Sequence, residues 1–170
     1  MTRLAPLVKE ALEILGWDDD IEDDEDAGKC VVNAQMTVKH QPCNVVIETH
    51  EASDTVCVLI SPPFRVDEAN RAEAYVLINA INRFNRIGRM EMDPEDGELR
   101  CVTGADVEGA SPTGQFVVAL LKANSGLLRH WMWALASVAL TGRSAQSILE
   151  EDDRRSAAGG STDSRSVASS

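Results

Sequence analysis

The chain has 170 residues, 44% of them hydrophobic, enough for one packed core and incompatible with a wholly disordered protein. Its formal net charge is -12, and eight of its acids are packed into Asp18–Asp26, so the remainder is only mildly acidic. An acidic surface without a compensating basic patch repels phosphate backbones and anionic headgroups, so neither nucleic acid nor membrane is expected as a partner.

The N-terminus carries Leu4, Leu7, Val8, Ala11, Leu12 and Leu15 at helical spacing, with Gly16 as the stop. Lys9 and Glu10 interrupt any apolar run there, so a signal peptide is not expected. Repulsion among the carboxylates of Asp18–Asp26 predicts an extended, solvated linker. A calcium loop of the EF-hand type would need Gly at its sixth position and Glu at its twelfth; these positions hold Asp23 and Lys29 for a start at Asp18, and Glu25 and Val31 for a start at Asp20.

Three strands are predicted next, over Cys30–Val38, Asn44–Thr49 and Thr55–Ile60, with joints at Gln41-Pro42 and Glu51–Asp54 short enough for antiparallel hairpins. Asp67 is placed to cap a helix running to about Phe84, with Ala74, Leu77, Ile78, Ile81 and Phe84 on one face. After a break at Gly88, two strands flank the turn Pro94-Glu95-Asp96-Gly97, where Gly97 can supply a positive φ. Gly104–Ala110 reads as a loop, and Ser111-Pro112 as the start of a long helix. Its apolar stripe runs through Val117, Leu120, Leu121, Leu128, Trp131, Leu135 and Val138, with a kink or split at Asn124-Ser125-Gly126. Gly142 ends it, Ser144 caps a short last helix, and residues 151–170 read as a disordered tail. One domain over residues 1–150 follows, of the α+β class: an antiparallel sheet of about five strands with helices packed on it, in the order α-β-β-β-α-β-β-α.

Catalytic constellations are missing. The sequence has no G-x-S-x-G, no H-E-x-x-H and no phosphate loop, and His40, His50 and His130 are unclustered. No enzyme and no cofactor are expected. Cys30, Cys43, Cys57 and Cys101 form no C-x-x-C pair; structural thiols are the favoured reading, with a disulfide or metal site as the alternative. The hairpin acids Glu91, Asp93, Glu95, Asp96 and Glu98 admit a solvated edge or an acid–base or metal site. Asn79, Asn82 and Asn85 line one edge of a helix end, which suits anchoring of the helix-to-hairpin joint with Gly88 and Gly97, or ligand contact. Trp131, Met132 and Trp133 lie on the last long helix. Trp133 is offset from Trp131 by about 200°, so burying both needs two surfaces. Either both pack within the domain or the second surface belongs to a partner. The most apolar run, Leu127–Leu140, contains Arg129 and His130 and is too short to span a bilayer. A cytoplasmic protein is therefore expected.

The patterns Asn79-x-x-Asn82, Gly88-Arg89-Met90-Glu91-Met92-Asp93, Asp96-Gly97-Glu98-Leu99-Arg100 and Gly142-x-Ser144-Ala145-x-x-Ile148-Leu149 occur in that order. In them, and in its element order, the chain resembles the YbjN family, a bacterial group with the fold of type III secretion chaperones. The resemblance covers roughly residues 3–150. It implies a small, acidic, non-enzymatic protein, dimeric in many members, that binds or modulates other polypeptides. A homodimer holding an unknown polypeptide is the expectation, with Trp131, Met132 and Trp133 as the candidate interface. The alternative is a regulatory domain in signal transduction that binds a small ligand or ion.

Overall fold

The computed structural model describes residues 1–159. Its elements in chain order are α1 (Ala5–Leu15), β1 (Ile21–Asp24), β2 (Lys29–Val38), β3 (Gln41–His50), β4 (Thr55–Ser61), α2 (Arg71–Phe84), β5 (Arg89–Met92), β6 (Leu99–Asp106), α3 (Gly114–Thr141) and α4 (Ala145–Gly159). The six strands form one antiparallel sheet in the order β1-β2-β3-β4-β6-β5. The expected α+β plan holds, with one strand more than the five predicted.

Alternation along the strands sends one side chain in two to the helices. Val32, Val45, Val58 and Ile60 are buried on that face, with Cys30, Cys43 and Cys101 among them. The helices close over it with Val8, Leu12, Leu77, Ile81, Leu128 and Leu135, and all of these belong to one continuous core. Aliphatic residues and thiols thus do the work that aromatic residues do in other cores.

Several boundaries differ from the sequence reading. The acidic run is not wholly a linker: Ile21–Asp24 is an edge strand in register with Lys29–Val32. Ile21 packs against the core, and the Asp23 carboxylate accepts the Thr2 N–H at 3.1 Å. The β2–β3 turn is Lys39-His40, not Gln41-Pro42, which lie within β3. Pro42 is tolerated because β4 ends at Ser61, opposite Asn44, so one side of Pro42 has no neighbouring strand. The Gly104–Ala110 loop begins later, since β6 runs on to Asp106.

Helix α3 starts at Gly114 rather than Ser111-Pro112. The Glu10 carboxylate of α1 accepts the Gly114 N–H at 2.7 Å, and a Cβ there would lie 2.5 Å from the Ala11 nitrogen, so only glycine lets α1 cross this close. The helix then runs unbroken through Asn124-Ser125-Gly126. Gly142 ends it in the left-handed conformation, and the Ser144 hydroxyl accepts the Ser147 N–H at 3.3 Å. The last helix continues through residues 151–159, the first part of the expected tail; the rest of that tail lies outside the described residues.

Candidate functional site

The helix-to-hairpin joint is held by backbone recognition. Asn82, near the end of α2, accepts the Met90 N–H at 2.8 Å and donates to the Met90 carbonyl at 2.9 Å, like an extra strand beside β5. Asn85 donates to the carbonyls of Ile87 and Gly88 at 2.6 and 2.7 Å, whereas Asn79 is exposed on the helix. Gly88 has φ 76°, and a Cβ there would approach Thr103 Oγ1 to 2.7 Å and Asn124 Oδ1 to 2.8 Å. Gly97 has φ 73°, and its Cβ would fall 2.1 Å from the Val66 carbonyl oxygen. Both glycines are therefore required by space as well as by backbone angle.

Asn124 is the buried polar centre that the sequence reading took for a helix interruption. Its amide donates to the Val58 carbonyl at 2.6 Å and the Cys101 carbonyl at 3.2 Å, and its oxygen accepts the Thr103 hydroxyl. One side chain thereby fastens α3 to β4 and β6. The signal was present: Asn124 falls between Leu121 and Leu128 on the apolar stripe, where a polar residue needs partners.

Four of the five hairpin acids, Glu91, Asp93, Asp96 and Glu98, are engaged in ion pairs. Glu98 lies 2.6 Å and Asp93 3.7 Å from the Arg100 guanidinium, and Asp96 pairs with Arg65. The contact with Arg100 holds the Glu98 carboxyl below its usual range, although burial opposes this. The Asp96 carboxyl is lowered chiefly by the Glu98 N–H it accepts. No group of three potential metal ligands occurs among the described residues. Burial pushes the Cys30 thiol up to about 11 and the Cys101 thiol up to about 12, so both remain protonated and non-nucleophilic at neutral pH.

The three residues proposed as an interface separate. Met132 takes the core position that Trp131 was expected to fill, four residues after Leu128 on the helix face. Trp131 and Trp133 are half-buried, and the Arg155 guanidinium of α4 sits 4.0 Å above the Trp133 ring. Large exposed apolar side chains include Leu140 at the end of α3, Tyr75, Val76 and Phe84 of α2, and Ile87 just beyond it.

The sheet itself leaves a vacancy. β5 pairs with β6 only from Leu99 to Val102, while β4 pairs with β6 as far as Asp106. Thr103–Asp106 therefore has a neighbouring strand on one side only. A groove of about 370 Å³ runs along this free edge, walled by Ile87, Phe116 and Leu120, with Arg86 and Arg89 beside it. Backbone donors and acceptors on a free edge, next to apolar pockets, are the elements that hold an extended peptide.

These features define a class. The chain has the fold of type III secretion chaperones. It superposes on a chain of the ExsC–ExsE complex with a TM-score of 0.56 at 14% identity, over 83% of this chain and 99% of that one. It matches a chain of the HopA1–SchA chaperone–effector complex with a TM-score of 0.50 at 11% identity, over 74% of this chain and 89% of that one. Within this class the chain belongs to the YbjN family, whose model, described as "Putative bacterial sensory transduction regulator", matches residues 5–130. A search of the curated proteins gives no match. No helix among the described residues is long and apolar enough to cross a membrane.

Proposed function

We propose that this protein is a non-enzymatic, chaperone-like module that holds an extended segment of another polypeptide, and that it works as a homodimer. The observation that carries the first part is the free edge of β6 at Thr103–Asp106. A segment entering there would continue the line of β5, pair its backbone with β6 and set alternate side chains against Ile87 and Phe116. Main-chain pairing would supply affinity with little demand on sequence, and the apolar wall would select the anchors. The HopA1–SchA structure is a chaperone–effector complex, which favours a polypeptide as the cargo of a shared fold.

Affinity capture from the native cell, followed by hydrogen exchange on the purified complex, tests this reading. Bound polypeptide should protect the amides of Thr103–Asp106, and Ile87→Asp should abolish capture while leaving the far-UV spectrum intact. Capture that survives Ile87→Asp, with exchange at Thr103–Asp106 unchanged, would overturn it. The dimer is supported by the outer face of α2, where Tyr75 is 45% and Val76 56% exposed. Light scattering should give twice the chain mass, reduced to one by Val76→Glu. A monomer for the unaltered protein would remove the dimer and leave strand binding standing.

A further inference from the structure

A larger cleft, of about 710 Å³, opens among α3, the Arg155 end of α4 and the β2–β3 turn, and shares no residue with the β6 groove. Its size falls in the range of small-molecule sites. Three observations bear on what it takes.

The first is its chemistry. Phe64, Met132 and Trp133 give an apolar lining, while Lys39, Arg129 and Arg155 bring three cations to it, in a protein of net charge -12. Carboxylates satisfy only part of this charge. Glu151 pairs with Arg155, and also with Arg143 at 2.9 Å, and Asp152 lies 3.5 Å from His130. Lys39 and Arg129 make no ion pair among the described residues. Arg155, stacked 4.0 Å over Trp133, joins the charge to the aromatic floor.

The second observation is Gly126, in the cleft wall and in the middle of α3. Glycine in a helix interior costs about 1 kcal/mol relative to alanine. Neither close packing nor a positive φ calls for it, because a Cβ there would meet nothing within 4 Å. The missing side chain is cleft volume. The third is the turn that delivers Lys39. It has two residues between the paired Val38 and Gln41, and Lys39 and His40 have φ 50° and 65°. Such a turn favours Asn-Gly, and other residues with positive φ are strained. A lysine stands where a glycine or asparagine would relax the backbone.

We propose that this cleft binds a small amphipathic anion: an apolar body seated on Phe64, Met132 and Trp133, with a carboxylate or phosphate head held by Lys39, Arg129 and Arg155. The proposal does not depend on polypeptide binding at β6.

Isothermal titration of the full chain with decanoate, decyl phosphate, decanol and decyltrimethylammonium tests it, and the two anions distinguish a carboxylate from a phosphate head. One anion per chain should bind, with decanol and the cation about tenfold weaker or silent, since a charge-assisted contact is worth roughly that factor. Arg129→Gln should weaken the anion about tenfold by the same reckoning. Gly126→Phe should abolish binding, and Gly126→Met provides a second plug if the first fails to fold. Equal binding of the cation, binding indifferent to a folded plug variant, or silence of both anions would each overturn the proposal.

Discussion

Replacing Asn124 by Leu keeps the branched outline of a wholly buried side chain, with methyl groups in place of the amide atoms, and removes all of its side-chain hydrogen bonds. The carbonyls of Val58 and Cys101 lie in paired strands and can keep their ladder bonds, so losing the amide donor should cost about 1 kcal/mol at each. Thr103 is only 5% exposed, and its hydroxyl loses the acceptor it has. A buried, orphaned hydroxyl adds about 1–3 kcal/mol. The total is about 3–5 kcal/mol, which for a domain of this size lowers Tm by about 10 °C. Thr103→Val alone should cost about 1–2 kcal/mol, because Asn124 keeps its two strand carbonyls. The double variant removes both ends of the Thr103–Asn124 bond, leaves no orphaned hydroxyl, and should be more stable than the sum of the singles predicts by at least about 1 kcal/mol. Urea unfolding followed by circular dichroism measures each corner of the cycle, provided that m is unchanged. Additivity within about 0.5 kcal/mol, or a cost for Asn124→Leu below about 1 kcal/mol, would refute the claim that this amide fastens α3 to the sheet.

Further substitutions test separate parts of the fold. Gly97→Ala should cost more than about 3 kcal/mol, because its Cβ collides with the Val66 backbone, whereas Gly109→Ala, with φ 67° and nothing within 4 Å, should cost only about 1–2 kcal/mol; a chemical-denaturation comparison separates steric from angular demand. Gly126→Ala should stabilise the protein by about 1 kcal/mol, raising Tm by about 2–4 °C in calorimetry. For acid stability the sign is fixed by the Glu98 carboxyl, whose folded pKa is depressed first by Arg100 and then by Ser61. Its contribution is present above the unfolded value of 4.5 and is lost as pH falls through the lower folded value. Unfolding curves between pH 6 and pH 3 should therefore decline less steeply in Arg100→Gln than in the unaltered protein.

The strands β2 to β4 and the stripe of α2 as far as Ile81 are legible because their signals are local; Phe84, expected on the same face, is 79% exposed at the helix end. Val32, Ala34 and Val38 alternate inward on β2, and Leu77, Ile78 and Ile81 recur on one helix face. Gly88 and Gly97 were legible as breaks, yet the sequence could not tell which atoms would fill the space of a Cβ. Asn124 was misread because Asn, Ser and Gly are poor helix formers; contacts with Val58, Cys101 and Thr103, far away in sequence, override that propensity. The interface expectation rested on the offset between Trp131 and Trp133. It could not include α4, whose Arg155 covers one ring, since α4 beyond residue 150 shows no apolar periodicity.

The acidic run ties the fold to the proposed function. Eight carboxylates in nine residues point to a solvated segment, because nothing local opposes their repulsion. In β1 the side chains alternate instead: Ile21 and Asp23 turn inward, to the core and to the Thr2 N–H, while Glu22 and Asp24 face outward, exposed. Outward charge on an edge strand is a guard against pairing with other chains. At the opposite end β5 also turns charges outward, but they are Arg89 and Glu91, of opposite sign and paired with each other. There β5 stops short, Thr103–Asp106 stays free, and Arg86 and Arg89 stand beside an apolar wall where β1 has acids. This difference between the two edges, like charges on one and a short open stretch flanked by arginines on the other, is what the proposal of strand binding at β6 rests on. That asymmetry is why the free β6 edge, rather than the tryptophans, carries the functional reading.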